Sequence, residues 1–304
     1  MIRFLDMRQI SVDASQMPES SDLVFVGEAV DDRGRCSLEL ARASGQTTII
    51  VNYDPETFLL TLGDRIFRVS DLELVRQEFT GHRVLLDATT LDAVEILVLT
   101  RAFLNCEQPR LLSFLYAEPA KYLPCTDEIG MDISFSFADQ FRGLKAVPGY
   151  ANELRADTKG RLVACIGFEP DRLDRILQDD DGNFIHHTVL IFGIPAYRTS
   201  WEMLALLPHE RIIGQNINRC EVKFAGANNP KATFATLEHI VRAIAQNEGE
   251  RLLVAPIGSK PSAIGVALFA CCRDDIRLKY DFPIRLHDRT EGVGAIHRYL
   301  VDRN

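Results

Sequence analysis

Short apolar runs rich in β-branched residues alternate along this chain with longer stretches in which apolar residues recur every three or four positions. The two periods predict strands alternating with helices. LVFVG (23–27) reads as the first clear strand, EAVDDRG as a polar turn, and RCSLELARAS as a helix ending at Gly45. TTIIVNYD (47–54) is the next strand, bounded by Asp54 and Pro55. RVLLDATT (83–90) is a strand whose end offers Thr89 or Thr90 as N-cap of the helix LDAVEILVLTRAFLN, and RLLSFLYAEP (110–119) closes the run as a strand. The pattern weakens from Thr126 to Gly160, where DISFSFADQF is one candidate strand and Gly143, Pro148, Gly149 and Gly160 punctuate the chain.

Alternation then resumes. LVACIGF, HTVLIFGI, RLLVAPI and IRLKYDFP read as strands; EPDRLDRILQ, RTSWEMLALL, ATFATLEHIVRAIAQ (ending near Gly249) and SAIGVALFACC read as helices. The fold class expected is α/β, as two tandem Rossmann-like units with mainly parallel sheets. The N-terminal half spans 1–125, a connecting segment 126–160, and the C-terminal half 161–304.

An internal repeat supports that division. RVLLDATTLDAVEILVLTRAFLNCEQPRLLSFLYAEP and RLLVAPIGSKPSAIGVALFACCRDDIRLKYDFP share the order strand, polar turn, apolar helix, strand, and then Tyr-x-x-Pro, so that Tyr116 and Pro119 correspond to Tyr280 and Pro283. GEAVDDR (27–33) and GFEPDR (167–172) also rhyme, each following an apolar strand with an Asp-Arg pair, although their spacing differs by one residue. Any two βαβ units share this general order, and the Tyr-x-x-Pro match is what favours duplication. In open α/β sheets ligands bind beyond the carboxyl ends of the strands, so the turns DATT and PIGSK would face one cleft.

Composition adds exclusions. The formal net charge is −9 with a pI near 5.3, which opposes binding of bulk duplex DNA through its phosphates. No stretch approaches the ~18 uninterrupted apolar residues of a membrane span, and the N-terminus has no apolar leader core, so a cytoplasmic protein is expected. The seven cysteines (Cys36, Cys106, Cys125, Cys165, Cys220, Cys271 and Cys272) are odd in number and form no C-x-x-C pair, which suits reduced thiols rather than disulfides or zinc. His186 and His187 are adjacent, and no H-E-x-x-H, Walker A loop, G-x-G-x-x-G or G-x-S-x-G occurs. No metal and no cofactor is expected.

The candidate chemistry lies in turns. Gly258 and Ser259 let backbone N–H groups approach an anion, the helix that follows aims its positive end there, and Lys260 adds a full charge. Arg285, His287, Arg289 and His297, set among Gly292 and Gly294, suit a flexible tail that closes over a phosphorylated ligand, or a solvated loop. Thr89 and Thr90 would take the opposite edge of the ligand. Glu28, Asp31, Asp32 and Arg33 form the best acidic cluster for catalysis or metal, with Asp87 as a further acid, and the three carboxylates Glu28, Asp31 and Asp32 equally fit the charge pattern of a helix N-terminus. Asn228 and Asn229 in GANNP offer amides to a base, but the same residues are ordinary turn formers. Asp179–Asn183 (DDDGN) lacks the spacing of a calcium loop, and Trp201, the one tryptophan, reads as packing with base stacking the lesser alternative.

At LLVAPIGSKPSAIGVALFACCRDDIRLKY the chain resembles the CARF and SAVED group of Rossmann-like nucleotide sensors from prokaryotic antiviral defence, through Gly258, Ser259, Lys260 and Pro261. The resemblance covers about 30 residues. Two fused copies look like the SAVED arrangement, which implies a nucleotide ligand of the cyclic-oligonucleotide kind; members of the group commonly carry a fused nuclease, protease or membrane effector, none is recognisable in this sequence, and a sensor of this kind is therefore expected to act on a separate effector protein. Asp87–Thr90 in the first copy departs from the Gly-Ser-Lys turn of the second. Two other readings stand beside the sensor. One is a nucleotide- or nucleoside-processing hydrolase with Glu28 or Asp31 as base or nucleophile; the other is a non-catalytic scaffold subunit of a defence or repair complex.

Overall fold

A computed structural model describes residues 2–11, 20–123, 125–126, 133–134, 138–150, 159–180, 184–215, 218–244 and 250–303. It is a mixed α/β fold with parallel strands, in two compact units: residues 1–139 with 285–304, and residues 140–284. The second unit therefore interrupts the first in sequence, and residues 285–304, which the sequence grouped with the C-terminal half, belong to the first unit. Among the described residues no helix is long and apolar enough to cross a membrane.

The first unit contains β1 (Ile2–Ile10), β2 (Ser21–Val26), α1 (Asp32–Ala43), β3 (Gly45–Asp54), β4 (Leu59–Leu62), β5 (Arg65–Arg68), α2 (Leu72–Gln77), β6 (Arg83–Asp87), α3 (Ala93–Leu104) and β7 (Leu111–Tyr122). β8 (Cys125–Thr126) and β9 (Ile133–Ser134) pair antiparallel, and β10 (Ala138–Phe141) leads into the second unit. DISFSFADQF is thus described at 133–134 and 138–141, and the rest of that candidate strand lies outside the described residues. In the second unit follow β11 (Lys145–Ala146), β12 (Lys159–Ile166), α4 (Pro170–Gln178), β13 (Ile185–Gly193), α5 (Trp201–Gln215), β14 (Cys220–Ala225), α6 (Pro230–Ile244), β15 (Glu250–Pro256), α7 (Lys260–Ala270) and β16 (Ile276–Tyr280). β17 (Pro283–Arg285) leads back to the first unit, which ends with β18 (Thr290–Arg303). Asp181–Asn183 of the DDDGN turn and the helix end near Gly249 lie outside the described residues.

The first sheet runs β1-β18-β7-β6-β2-β3-β4-β5. Its centre, β7-β6-β2-β3, is parallel, and the flanking pairs β1/β18, β18/β7, β3/β4 and β4/β5 are antiparallel. Alternating side chains serve opposite faces. Val24, Val26, Leu85, Leu115, Ala117 and Ile296 pack with Leu40 and Ala41 of α1. On the other face Phe25 meets Phe79, which in turn meets Phe103 of α3, with ring centroids 5.0 and 6.0 Å apart. α3 is buried along nearly its whole length, as its apolar sequence demands, and Asp92 and Glu95 close it with a capping box. The cap of α3 is therefore Asp92, not Thr89 or Thr90.

The second sheet runs β11-β16-β15-β12-β13-β14 and is parallel except for β11 against β16. Its parallel strands, numbered along the chain, take the order 3-2-1-4-5. Each sheet thus has a point where consecutive connections leave in opposite directions: between β2 and β6 in the first unit, and between β12 and β15 in the second. Crevices form at the carboxyl ends of such strand pairs.

The C-terminal segment differs from expectation. Thr290–Arg303 is a 14-residue strand lying between β1 and β7, not a closing tail. Its central position explains how His297 and Arg298 can be buried: His297 Nε2 lies 2.7 Å from Glu118 Oε1, and Arg298 donates to Ser113 Oγ at 3.2 Å.

Candidate functional site

In the first unit the crevice between β2 and β6 is filled by the protein itself. A Cβ on Gly27 would lie 2.4 Å from Thr90 O, so the turn after β2 touches the turn after β6, and only glycine permits that approach. Gly27 N donates to Thr90 Oγ1 at 3.0 Å, and Thr90 Oγ1 donates to Asp87 Oδ2 at 2.8 Å. Asp87 Oδ1 accepts from Ser37 Oγ at 2.6 Å and from Thr89 N at 3.1 Å. Thr89 Oγ1 donates to Ser37 Oγ and accepts from Ala117 N, both at 2.9 Å. Asp87, Thr89 and Thr90 are buried, and burial pushes the Asp87 carboxyl above its usual range, against the pull of Ser37 and Thr90. The Thr89 hydroxyl ties α1 to β7, and the Thr90 hydroxyl ties the end of β2 to the end of β6.

Glu28 is exposed in the loop after β2, whereas Asp31 is buried as the N-cap of α1. Asp31 accepts from Gly34 N (2.8 Å), Arg33 Nε (2.8 Å) and Thr290 Oγ1 (2.7 Å). Burial would raise its pKa, but the Arg33 guanidinium and these donors outweigh burial and hold the carboxyl below the usual range. A carboxylate so engaged serves as a cap and a counter-ion. Asp31 and Asp32 thus stand at the helix terminus, as N-cap and first residue of α1, whereas Glu28 lies outside it.

The basic residues of 285–289 sit on the same edge. Arg285 pairs with Asp92 and donates to Thr90 O at 2.7 Å, while His287 is exposed. Arg289 is partly buried, and burial together with the charges of Arg33 and Arg285 lowers its pKa to about 10, so it is still cationic at neutral pH.

In the second unit the turns at the switch point also meet. A Cβ on Gly258 would lie 3.0 Å from Ile166 O, so the turn after β15 runs along the end of β12. Ser259 caps α7: its Oγ accepts from Ser262 N at 3.3 Å and donates to Ala227 O at 2.9 Å. The same carbonyl accepts from Tyr197 Oη at 3.1 Å, and Ala227 N donates to Pro195 O at 3.0 Å. The loops after β13, β14 and β15 are thus laced together at Ala227. Asn229 Oδ1 accepts from Ala232 N at 2.9 Å and so begins α6, the turn role rather than the ligand role; Pro230 follows where a helix start tolerates it. Lys260 is the first residue of α7 and is partly exposed.

Arg172, in the first turn of α4, braces this edge from beneath. It forks onto Asp281 (2.8 and 2.5 Å), donates to Ile257 O at 3.0 Å, and lies 5.3 Å from the centre of the Tyr280 ring. The pair is buried, so its bidentate geometry and third bond are what make burial of two charges tolerable. The resulting edge brings the N-termini of α6 and α7, Ser259 and Lys260 into one loop cluster, a polar arrangement suited to an anion.

GSKP and GANNP were separate candidates in the sequence and are joined here, while Thr89 and Thr90 fall in the other unit. Arg172, Tyr197 and Ala227 had no sequence signal as members of this edge beyond the Asp-Arg rhyme at 171–172. Among the described residues no group of three or more His, Cys, Asp or Glu side chains is gathered as a metal site would require. Comparison of the chain with protein-family models and with curated proteins finds no match.

Proposed function

We propose that this chain is a cytoplasmic nucleotide-binding module of two tandem Rossmann-like units, a sensor of the CARF/SAVED kind that signals to a separate effector protein. The phosphate is held in the second unit by the N–H groups of the Gly258–Ser259 turn, the positive end of α7 and the charge of Lys260. The observation that carries this reading is the bond from Ser259 to Ala227 O, which sets the start of α7 beside the start of α6 at the carboxyl edge of a parallel sheet.

Tandem units are supported by matched positions. In each, an arginine in the first turn of the helix after the first parallel strand is buried (Arg33, Arg172) and paired with a buried carboxylate (Asp31, Asp281). In each, glycine lets the two turns at the switch point meet. At the first unit's edge Arg285, His287 and Arg289 supply basic groups, and Thr89 and Thr90 act through the backbone they hold.

The test is thermal unfolding with mono-, di- and cyclic oligonucleotides, on the wild type and on Lys260→Ala. A ligand at 100 times its dissociation constant adds about 2.7 kcal/mol. Stabilisation of the wild type by a nucleotide, weakened at least tenfold in Lys260→Ala, is the expected result. A panel that leaves both melting temperatures unmoved overturns the reading.

A further inference from the structure

The second sheet ends at β14, and among the described residues no strand pairs with the outer edge of β14. Arg219 O accepts from Thr188 N and Ala225 O accepts from Ile194 N, so the odd-numbered residues turn their backbone polar groups toward β13. Alternation along the strand then turns the N–H and C=O groups of Cys220, Val222 and Phe224 toward the open edge. Such an edge is a template for a further strand.

Side chains favour pairing there. Phe192, which meets His209 of α5 edge-on, is the register partner of Phe224. Phe224 therefore points to the face of the sheet that carries α5, where it is 57% exposed, and Val222 and Cys220 share that face. Met203 and Leu207, one turn apart on α5, are exposed in the same layer. Glu221 and Lys223 stand on the opposite face and pair with each other.

We infer that β14 is the interface between two copies of this chain, which pair antiparallel about a two-fold axis at Val222 and join two sheets into one. Charge selects that register. In an antiparallel pair outward-facing residues oppose outward-facing ones, so the strand meets its own copy only with one residue opposite itself. Centred on residue 221 the pair sets Glu221 against Glu221, and centred on 223 it sets Lys223 against Lys223. Centred on 222 it sets each Glu221 opposite Lys223 of the second copy, Val222 opposite Val222, and Cys220 opposite Phe224. The opposite charges then fall at non-hydrogen-bonded positions, where cross-strand side chains lie closest. The apolar residues form one row on the face that carries α5 in both copies. By contrast β5, an outer strand of the first sheet, carries Arg65 and Arg68 and no acidic residue, the usual protection of an edge.

Sedimentation equilibrium of the full chain over about 1 to 100 µM tests this. The wild type should reach a reversible monomer–dimer equilibrium within that range. Lys223→Glu and Glu221→Lys each set like charges across the axis and should weaken self-association by about tenfold or more. Mixed together, the two variants should form a heterodimer, because Glu221 and the glutamate of one then face the lysines of the other. That recovery depends on pairing between chains, and melting temperatures of the separate variants verify that each is folded. A wild type that stays monomeric overturns the inference, whether the edge is bare or taken by a different chain. So does a dimer that the single substitutions leave unchanged, or a mixture of the two variants that does not associate. None of these outcomes bears on the nucleotide reading.

Discussion

His209 shows how much a single buried group can decide. It is fully buried in α5, its Nδ1 lies 2.7 Å from Ala205 O, its ring meets Phe192 edge-on, and its Nε2 has no hydrogen-bond partner. Burial lowers its pKa below 6.5, with Asp174 and the Ala205 carbonyl opposing. The unfolded chain therefore binds the proton more tightly than the folded one, so stability is complete above about pH 6.5 and declines as pH falls below it. Urea midpoints between pH 5 and 8 should show that decline in the wild type and a shallower one in His209→Phe. Two other residues give sharper stability tests. Gly27→Ala places a methyl 2.4 Å from Thr90 O and should cost about 2–3 kcal/mol. Asp31→Ala strands the buried Arg33 and should cost about 3–5 kcal/mol, read from the denaturation midpoint. Very little of this was legible in sequence. The Asp-Arg pair at 32–33 was visible, but that Asp31 rather than Asp32 holds Arg33 depends on Thr290, which is 259 positions away.

At the scale of elements, apolar periodicity was a good guide where burial was strong and a poor one at edges. α3, α6, α7 and the strands β2, β6, β12, β13 and β15 lie where their patterns indicate. β14 (Cys220–Ala225) escaped notice because it is an edge strand whose residues are mostly half-exposed and include Glu221 and Lys223, paired with one another. Without β14 the order 3-2-1-4-5 could not be counted. β1 escaped for the same reason, its burial being partial along most of its length. RTSWEMLALL suggested a helix stopping near Leu207, whereas α5 runs through Pro208 to Gln215; contacts to β13 outweigh the roughly 3 kcal/mol a proline costs inside a helix. The cap of α6 offers an element-level test: Asn229→Ala should lower stability by about 1 kcal/mol, and Asn229→Asp should retain it, since either side-chain oxygen can accept from Ala232 N. Measured melting temperatures for the pair would separate capping from any ligand role.

The molecule as a whole depends on the return of the chain to the first unit. β18 pairs with β1 along one edge and β7 along the other, so deleting residues 290–304 would leave both strands with open ladders and remove Ile296, Tyr299 and Val301 from the core. Hydrogen exchange should then show lost protection at 111–122 with retained protection at 160–166, and unaltered protection at 111–122 would contradict the assigned pairing. That the two halves alternate strands with helices, that the sheets are mainly parallel at their centres, and that a Gly-Ser-Lys turn opens α7 were all decided by local information: hydrophobic period, turn residues and capping chemistry act over a few positions. Three things were decided only in three dimensions. The tail became an inner strand because β1 and β7 satisfy its backbone on both edges and α1 covers Ile296 on one face. The threonines after β6 became buried ties because Asp87 and Ser37 meet them there. GANNP and GSKP became one edge because the carbonyl of Ala227 can accept from both Tyr197 and Ser259. Each of these depends on partners distant in sequence, whose proximity is set by the closure of a sheet and not by the pattern of any single segment.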